Sequence, residues 1–509
     1  MQKFKFLLAI ASLAVLAACG GGNSTSQSNN PPVTPPPTDT ATGIVTFKGA
    51  PLAGATVTAY DTNVSKIYGV TTTDANGSYS FSGMSTMGDV PEEYHFWISK
   101  TGYGFYPSLA NGGAKITRAD HTGDFEGNGV TDIGIYLTVI DFVSLPNASL
   151  TGANFIAFDG SNPVVSVAST GQSTSYATGD DGSVHKGVAW PAIRYKDNQD
   201  GTVTDNLTGL IWLKNAGCFT PTLWANALAD VNQLASGSCG LSDGSTAGEW
   251  RLPNVNELES LVDASASSPA TSLGNYFQNV SNAIYWTSSS YFGGEGGSPN
   301  AWTIRMSDGR YVNDSVANFK ISASNEVWAV RGSGGGAVKL QATGMYVSYL
   351  TGDDGNLQKG VPLNYPRYID NGNGTITDSV TGLIWLKKAD CINQPWSAAV
   401  ASVNLLASGQ CGLTDSSSAG SWRMPNRNEM QSLSDRTISN HADFFDATYI
   451  YKNGTPYRNP IFTNLMVSEY YWTSTTDAAN TDEAWTIFSC DFGVYDTPKI
   501  NTGYTLAVR

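Results

Sequence analysis

Charge is scarce in this sequence. Asp, Glu, Lys and Arg make up 14% of 509 residues, and 28 Lys and Arg stand against 43 Asp and Glu for a net charge of −15. A chain so poor in cations has an unpromising balance for a polyanion, so nucleic acid is not expected as a partner, and a local basic patch is the alternative left open. Histidine is nearly absent. His95, His121, His185 and His441 are scattered without ligand spacing, which argues against a zinc centre, and no HExxH or Ser/His/Asp set points to a catalyst. Long apolar runs are missing except Phe6 to Ala18, which falls short of the ~20 residues a spanning helix needs. Cysteine is limited to six positions.

What is present begins with an export signal. Lys3 and Lys5 precede the apolar run, which ends in small residues. It closes on Leu16-Ala17-Ala18-Cys19-Gly20, which resembles the lipobox of bacterial lipoproteins. The resemblance implies cleavage of a signal peptide at 1–18, lipidation of Cys19, attachment to the membrane through that lipid, and sorting to the outer membrane, since Gly rather than Asp follows. An ordinary signal peptide with a chance cysteine is the alternative. Residues 19–40 are rich in Pro, Ser and Asn and form an unstructured tether.

The dominant feature is a duplication. Asp197 to Lys214 reads DNQDGTVTDNLTGLIWLK and Asp370 to Lys387 reads DNGNGTITDSVTGLIWLK, with 13 of 18 positions identical. WRLPNVNEL against WRMPNRNEM, YWTSS against YWTST, AWTI twice and WAVR against LAVR extend the match. The copies span 164–333 and 337–509. Each is long enough for its own core, so separate folding is expected. Copy 1 carries 9 Lys and Arg against 15 Asp and Glu, and copy 2 carries 12 against 16, so sulfated polymer is not expected to be held by charge.

Residues 41–145 differ from the repeats. GIVTFKGAPLAGATVTAYD, TTTDANGSYSFSGM and YHFWISKTGY alternate in the manner of short strands with Asn-Gly and Pro turns, and predict a small all-β sandwich. The pattern resembles the carboxypeptidase regulatory-like domains, which implies a transthyretin-like spacer without active-site residues. Within DFEGNGVTD, Asp124, Glu126, Asn128 and Asp132 take calcium-loop positions around Gly129, but Ile135 stands where the bidentate Glu belongs. A weak calcium site and a polar turn therefore both stand. A linker, 146–163, leads to copy 1.

Within each copy the spacing predicts two helices and then strands. Trp224, Leu228, Val231 and Leu234, and Trp396, Val400, Val403 and Leu406, mark one apolar helix face. Cys218 and Cys239, and Cys391 and Cys411, flank that helix in equivalent places. In an oxidising compartment each pair most simply forms a disulfide, leaving Cys490 free. Asn254 and Asn426 are N-cap candidates for the second helix, with Glu257 and Glu429 in capping-box position. The DNQDG and DNGNG turns read as hairpins, with Asn and Gly taking positive φ. The tryptophans read as core.

The series TGDDG, DNxxGTxTDxxTGLIWLK, CGL, WR(L/M)PNxNE, YWTS, AWTI and AVR resembles the C-terminal domain family of the Legionella collagen-like adhesin over both copies. The resemblance implies two α+β, C-type lectin-like domains after the sandwich, with long loops that bind glycans or surface proteins. Sugar-binding lectins hold calcium on Glu-Pro-Asn and Trp-Asn-Asp; here Ser298-Pro299-Asn300 and Val312-Asn313-Asp314 stand instead, with Glu295 nearby. Copy 2 offers Asn480, Asp482 and Glu483, with Tyr495-Asp496 beyond. A calcium-bridged loop and a plain solvated loop both stand, and calcium is the one cofactor the sequence raises. A lipid-anchored adhesin-like binder leads. An oxidative enzyme on the related formylglycine-generating scaffold and a structural envelope lipoprotein are the alternatives; the first is weakened because Cys490 aligns with Ser307 and has no second cysteine near it.

Overall fold

A computed structural model describes residues 38–47, 50–61, 66–85, 93–100, 103–107, 115–122, 133–140, 149–151, 155–158, 164–291, 300–311, 319–332, 334–345, 348–363, 367–434, 436, 448–452, 455–459, 462–466, 468–489 and 492–509. The chain is multidomain and mostly β, with small helices.

The N-terminal region forms two sheets. In one, Thr38–Phe47 pairs antiparallel with Ser78–Ser85 and parallel with Ser149–Thr151 and Phe155–Phe158. In the other, the order is Lys66–Thr72, Thr56–Asp61, Glu93–Ser99, Ile133–Ile140, Lys115–Thr122, all antiparallel. Alternation puts Ala41, Val45, Tyr79 and Phe81 of the first sheet and Val57, Ala59, Phe96 and Ile98 of the second in the interior. The Phe81 and Phe96 rings meet across it at 5.9 Å.

The helices of the repeats are α1 (Asp181–Val184), α2 (Trp224–Asn232), α3 (Val255–Glu259), α4 (Pro269–Leu273), α5 (Asp354–Leu357), α6 (Trp396–Asn404) and α7 (Arg427–Ser432). In α2 the buried side chains are Trp224, Ala227, Leu228 and Val231, and α6 buries Trp396, Ala399, Val400 and Val403, the expected apolar faces. The capping boxes of α3 and α7 form as expected, with Asn254 accepting from the Glu257 N–H and Asn426 from the Glu429 N–H. Each of these glutamates also accepts two bonds from the arginine of WR(L/M)PN, Arg251 or Arg423. One motif thus starts the helix and ties its first turn to the arginine just before it, which itself bridges to Val330 or Val508.

Tyr195–Asp197, Thr202–Asp205, Ile211–Leu213 and Val330–Arg331 form one antiparallel sheet of copy 1; Ile284–Tyr291, Asn300–Arg305 and Arg310–Tyr311 form another. Copy 2 repeats the first with Tyr368–Asp370, Thr375–Asp378 and Ile384–Leu386, and widens the second to five strands, Ile392–Pro395, Thr502–Thr505, Tyr470–Thr476, Glu483–Phe488 and Val494–Pro498. The DNQDG and DNGNG segments are hairpin turns, but the first positive φ falls on Gln199 in copy 1 and Gly372 in copy 2, not on asparagine. Gly201 and Gly374 follow at φ 86° and 84°, where a Cβ would come within 2.3 Å of the carbonyl oxygen of Gly240 or Gly412. Those carbonyls belong to the loops closed by the disulfides, which are Cys218–Cys239 and Cys391–Cys411 as expected. Closing a span of 20 residues is worth about 3 kcal/mol, so the Cys391→Ser, Cys411→Ser variant is expected to be less stable by that amount and to unfold at a lower urea midpoint. An unchanged midpoint would mean that α6 packing alone holds the loop.

The expectation that the copies keep separate cores is corrected. One continuous cluster of buried side chains runs from Trp212, Leu258, Trp286 and Trp302 of copy 1 to Ile376, Trp385, Met430, Leu433 and Trp485 of copy 2. Chain length shows that a copy can build a core. It does not show whether that core leaves an apolar face for its neighbour.

The leading segments of the two copies cross the seam reciprocally. From 164–194, the carbonyls of Lys186 and Ala168 accept from Asn426 and Asn428, and Asp181 accepts from Thr475. From 338–363, the carbonyls of Lys359 and Gln341 accept from Asn254 and Asn256, and Asp354 accepts from Ser289. Each of these contacts has its equivalent in the other set, so the copies are related by a pseudo-twofold; the pair of bonds between Gln172 and Thr476 belongs to one side alone, since copy 2 has Met345 in place of Gln172.

Candidate functional site

The expected site residues divide by where they fall. Cys19, Asp124, Glu126, Asn128, Asp132, Glu295, Asn313, Asp314 and Cys490 lie outside the described residues. Asn300 opens the Asn300–Arg305 strand, paired with Tyr291 and half-buried. Asn480 and Asp482 sit in an exposed turn in which the Asn480 carbonyl accepts from the Glu483 N–H at 2.9 Å and the Asp482 carbonyl from the Lys499 N–H at 2.9 Å.

Glu483 is brought to Asp477 and Asp496, with one oxygen of each within 4.8 Å of the others. Strand register explains the grouping, since Glu483 opens a strand whose neighbour carries Asp496, and Asp477 follows directly on the strand paired to its other edge. Asp482 is not part of the group. Burial raises the Asp477 pKa, against the backbone N–H of Ala479 and the charge of Arg310. Arg310, from copy 1, reaches Asp496 directly. The trio is therefore an acidic patch already answered by a guanidinium across the seam, and a divalent ion would compete with that arginine for it.

A second arrangement occurs twice and was not anticipated. The Lys320 ammonium lies 4.2 Å from the centre of the Trp224 ring and 4.3 Å from that of Tyr349, and it donates to the Ser290 hydroxyl. The Lys499 ammonium lies 4.1 Å from Trp396 and 4.9 Å from Tyr176, and donates to Thr476 Oγ1 at 2.8 Å. Tyr349 and Tyr176 come from the crossing segments, so each cleft takes its tryptophan, lysine and hydroxyl from one copy and its tyrosine from the leading segment of the other. Two aromatic faces attract an ammonium, which offsets part of the cost of removing it from water. Burial still pushes the Lys320 pKa down to about 8, with Asp353 opposing, and lowers that of Lys499, with Asp180 and Asp482 opposing. Ile321 and Ile500, the next residues, are 81% and 83% exposed, so each pinned lysine carries an apolar side chain out into solvent. The signal was available only by aligning FKIS with PKIN and the two tyrosines ahead of TGDDG.

No curated protein matches the chain. Among solved structures it is similar to 3-chlorocatechol 1,2-dioxygenase from Rhodococcus opacus 1CP at 14% identity. It is also similar to hydroxyquinol 1,2-dioxygenase from Pseudomonas putida DLL-E4 and to catechol 1,2-dioxygenase from Pseudomonas arvilla C-1, each at 15% identity. These matches cover 24%, 25% and 26% of this chain and 60%, 57% and 56% of those chains, so the chain spans less than two thirds of their length. The TM-score is 0.14 in each case, too low to say anything about fold or activity. The Lcl C-terminal domain family matches residues 201–331 and again 374–509, more than half of the sequence, and the chain belongs to that family, carrying its domain twice.

Proposed function

We propose that the chain is a lipid-anchored cell-surface protein that binds ligands as an adhesin does, with glycans or extracellular matrix as the ligand class. The observation that carries this reading is the tandem Lcl C-terminal domain. Two equivalent heads joined by a packed seam engage repeated epitopes at fixed spacing, so the second contact follows the first at high effective concentration. A disulfide in each head supports export to an oxidising compartment. Among the described residues no helix is long and apolar enough to cross a membrane, and the anchor in this reading is the lipid on Cys19. The N-terminal sheets serve as the carboxypeptidase regulatory-like spacer, and the heads as C-type lectin-like domains.

A glycan and matrix array probed with the full chain, with calcium and after chelation, tests the proposal. Retention by a defined glycan or matrix class is expected, and loss on chelation would assign calcium a bridging role at the loops around Glu295 and Asp314 or around Glu483. Retention by no surface would leave a structural envelope lipoprotein. Cys19→Ser is expected to release the protein from the membrane fraction; an unmodified N-terminus by intact mass would overturn the anchor.

A further inference from the structure

The second acidic residue of each TGDDG segment is the buried centre of the seam. Asp181 accepts from Thr170 Oγ1 at 2.6 Å and from Thr475 Oγ1, across the seam, at 2.7 Å. Asp354 accepts from Thr343 Oγ1 at 2.7 Å and from Ser289 Oγ across the seam. Both side chains are almost wholly shielded from solvent. The preceding aspartates, Asp180 and Asp353, act differently, capping α1 and α5 through Ser183 and Asn356.

The charged groups acting on these carboxyls are acidic. They are Glu429 and Asp180 for Asp181, and Glu257 and Asp353 for Asp354. Glu429 and Glu257 are each committed to an arginine, Arg423 or Arg251, and Lys499 and Lys320 respond to Asp180 and Asp353 from their aromatic clefts. His185, at the end of α1, is exposed; copy 2 has Gln358 in that place. Each seam carboxyl thus receives hydroxyl bonds from both sides of the interface while its charged neighbours repel a negative charge.

We propose that Asp181 and Asp354 make the seam between the two copies a proton-controlled clasp, closed in weak acid when both carboxyls are protonated and loosened when both are charged. Duplication carries the argument: two sites, related by the pseudo-twofold, place the same carboxyl between the same kinds of hydroxyl, each in an acidic setting. Burial is the first cause that raises both groups, Asp181 to about 6 and Asp354 to about 7.

The sign follows from linkage. In the open chain both groups return to the ordinary aspartate range near ~4, so opening releases protons. Closure is therefore strongest below about pH 4 to 5, weakens as pH rises through 6 and 7, and changes little above that. Glu259 and Asp477, also raised by burial, push in the same direction, whereas Asp197 and Asp370, lowered by Lys214 and Lys387, act oppositely and only in stronger acid.

The test is amide hydrogen exchange on the full chain at about pH 5 and about pH 8, corrected for intrinsic rates and read on strands Ile284–Tyr291 and Tyr470–Thr476. Protection is expected to fall more than tenfold between the two conditions. In the Asp181→Asn, Asp354→Asn variant the amide oxygen can still accept both hydroxyl bonds but carries no charge, so the fall should largely disappear and protection at the higher pH should approach the wild-type level in acid. A variant that keeps the full wild-type pH dependence, or a wild type better protected at the higher pH, would overturn the clasp. Should the variant not fold, side-chain carboxyl titration of the wild-type protein decides: apparent values well above the ordinary range support the clasp, and values near ~4 for both groups sink it.

Discussion

Glu259→Ala is expected to lower stability by about 3–5 kcal/mol, and to separate the unfolding of the two copies. Glu259, on α3 of copy 1, is buried between Arg427 and Arg436 of copy 2 at 3.4 and 3.7 Å, and it also accepts from Tyr311. Arg427 donates to the Gly309 carbonyl at 2.8 Å, and Arg436 to Tyr311 Oη at 2.8 Å and to Gln431 at 2.7 Å. Removing the carboxylate leaves two guanidiniums buried side by side without the charge that balances them. Replacing all three by apolar side chains of matching volume should restore most of the loss, because desolvating the ions offsets much of their attraction. Urea unfolding followed by tryptophan fluorescence checks both statements. A single variant as stable as wild type would mean that water reaches the triad.

This triad is also where the two copies stop being equivalent. Val255, Glu259 and Ala264 of copy 1 stand where copy 2 has Arg427, Gln431 and Arg436. Two copies of the first domain would set Glu259 against valine and alanine, and two of the second would set the arginines against Gln431, which carries no charge to balance them. The substitutions therefore favour a mixed pair over either identical pair.

Local structure was legible in the sequence wherever a short-range rule decides it. The Trp224 and Trp396 helices follow from spacing, the α3 and α7 caps from Asn followed by Glu three residues on, and the disulfides from equivalent placement in an exported chain. Core tryptophans were legible too: Trp212, Trp224, Trp250, Trp286, Trp302 and Trp328, with their copy 2 counterparts Trp385, Trp396, Trp422 and Trp472, are almost wholly buried.

The seam was not legible, because the residues that make it already have a local reading. Asp181 lies in a four-residue helix too short to show a period, and Asn426 reads as a cap, which it is, while its amide group also reaches Lys186 of the crossing segment. The positive φ at Gln199 escaped for a related reason: hydrogen bonding around Asp197 and Thr202 sets that turn, and residue preference names only the commonest occupant. The lysine clefts combine residues 23 positions or more from the lysine and drawn from both copies, so no spacing rule could assemble them.

Copy 1 taken as its sequence boundaries define it, residues 164–333, is expected to be less stable by about 3–5 kcal/mol than the longer fragment 164–363. The added residues belong by repeat to copy 2, yet they dock on copy 1. Val338 N–H donates to the Leu207 carbonyl at 2.7 Å, Asn256 and Asn254 donate to the Gln341 and Lys359 carbonyls at 3.0 and 3.1 Å, Ser289 reaches Asp354, and Tyr349 covers Lys320. Without them Lys320 loses one of its two aromatic faces, and Ser289, Asn254 and Asn256 lose partners that at most water could replace. Both fragments lack Arg427 and Arg436 equally, so the difference between them isolates the crossing segment. The measurement is the urea midpoint together with near-ultraviolet circular dichroism of the tryptophans. Equal midpoints would show that each copy completes itself, and that the reciprocal crossing only joins domains that are already folded.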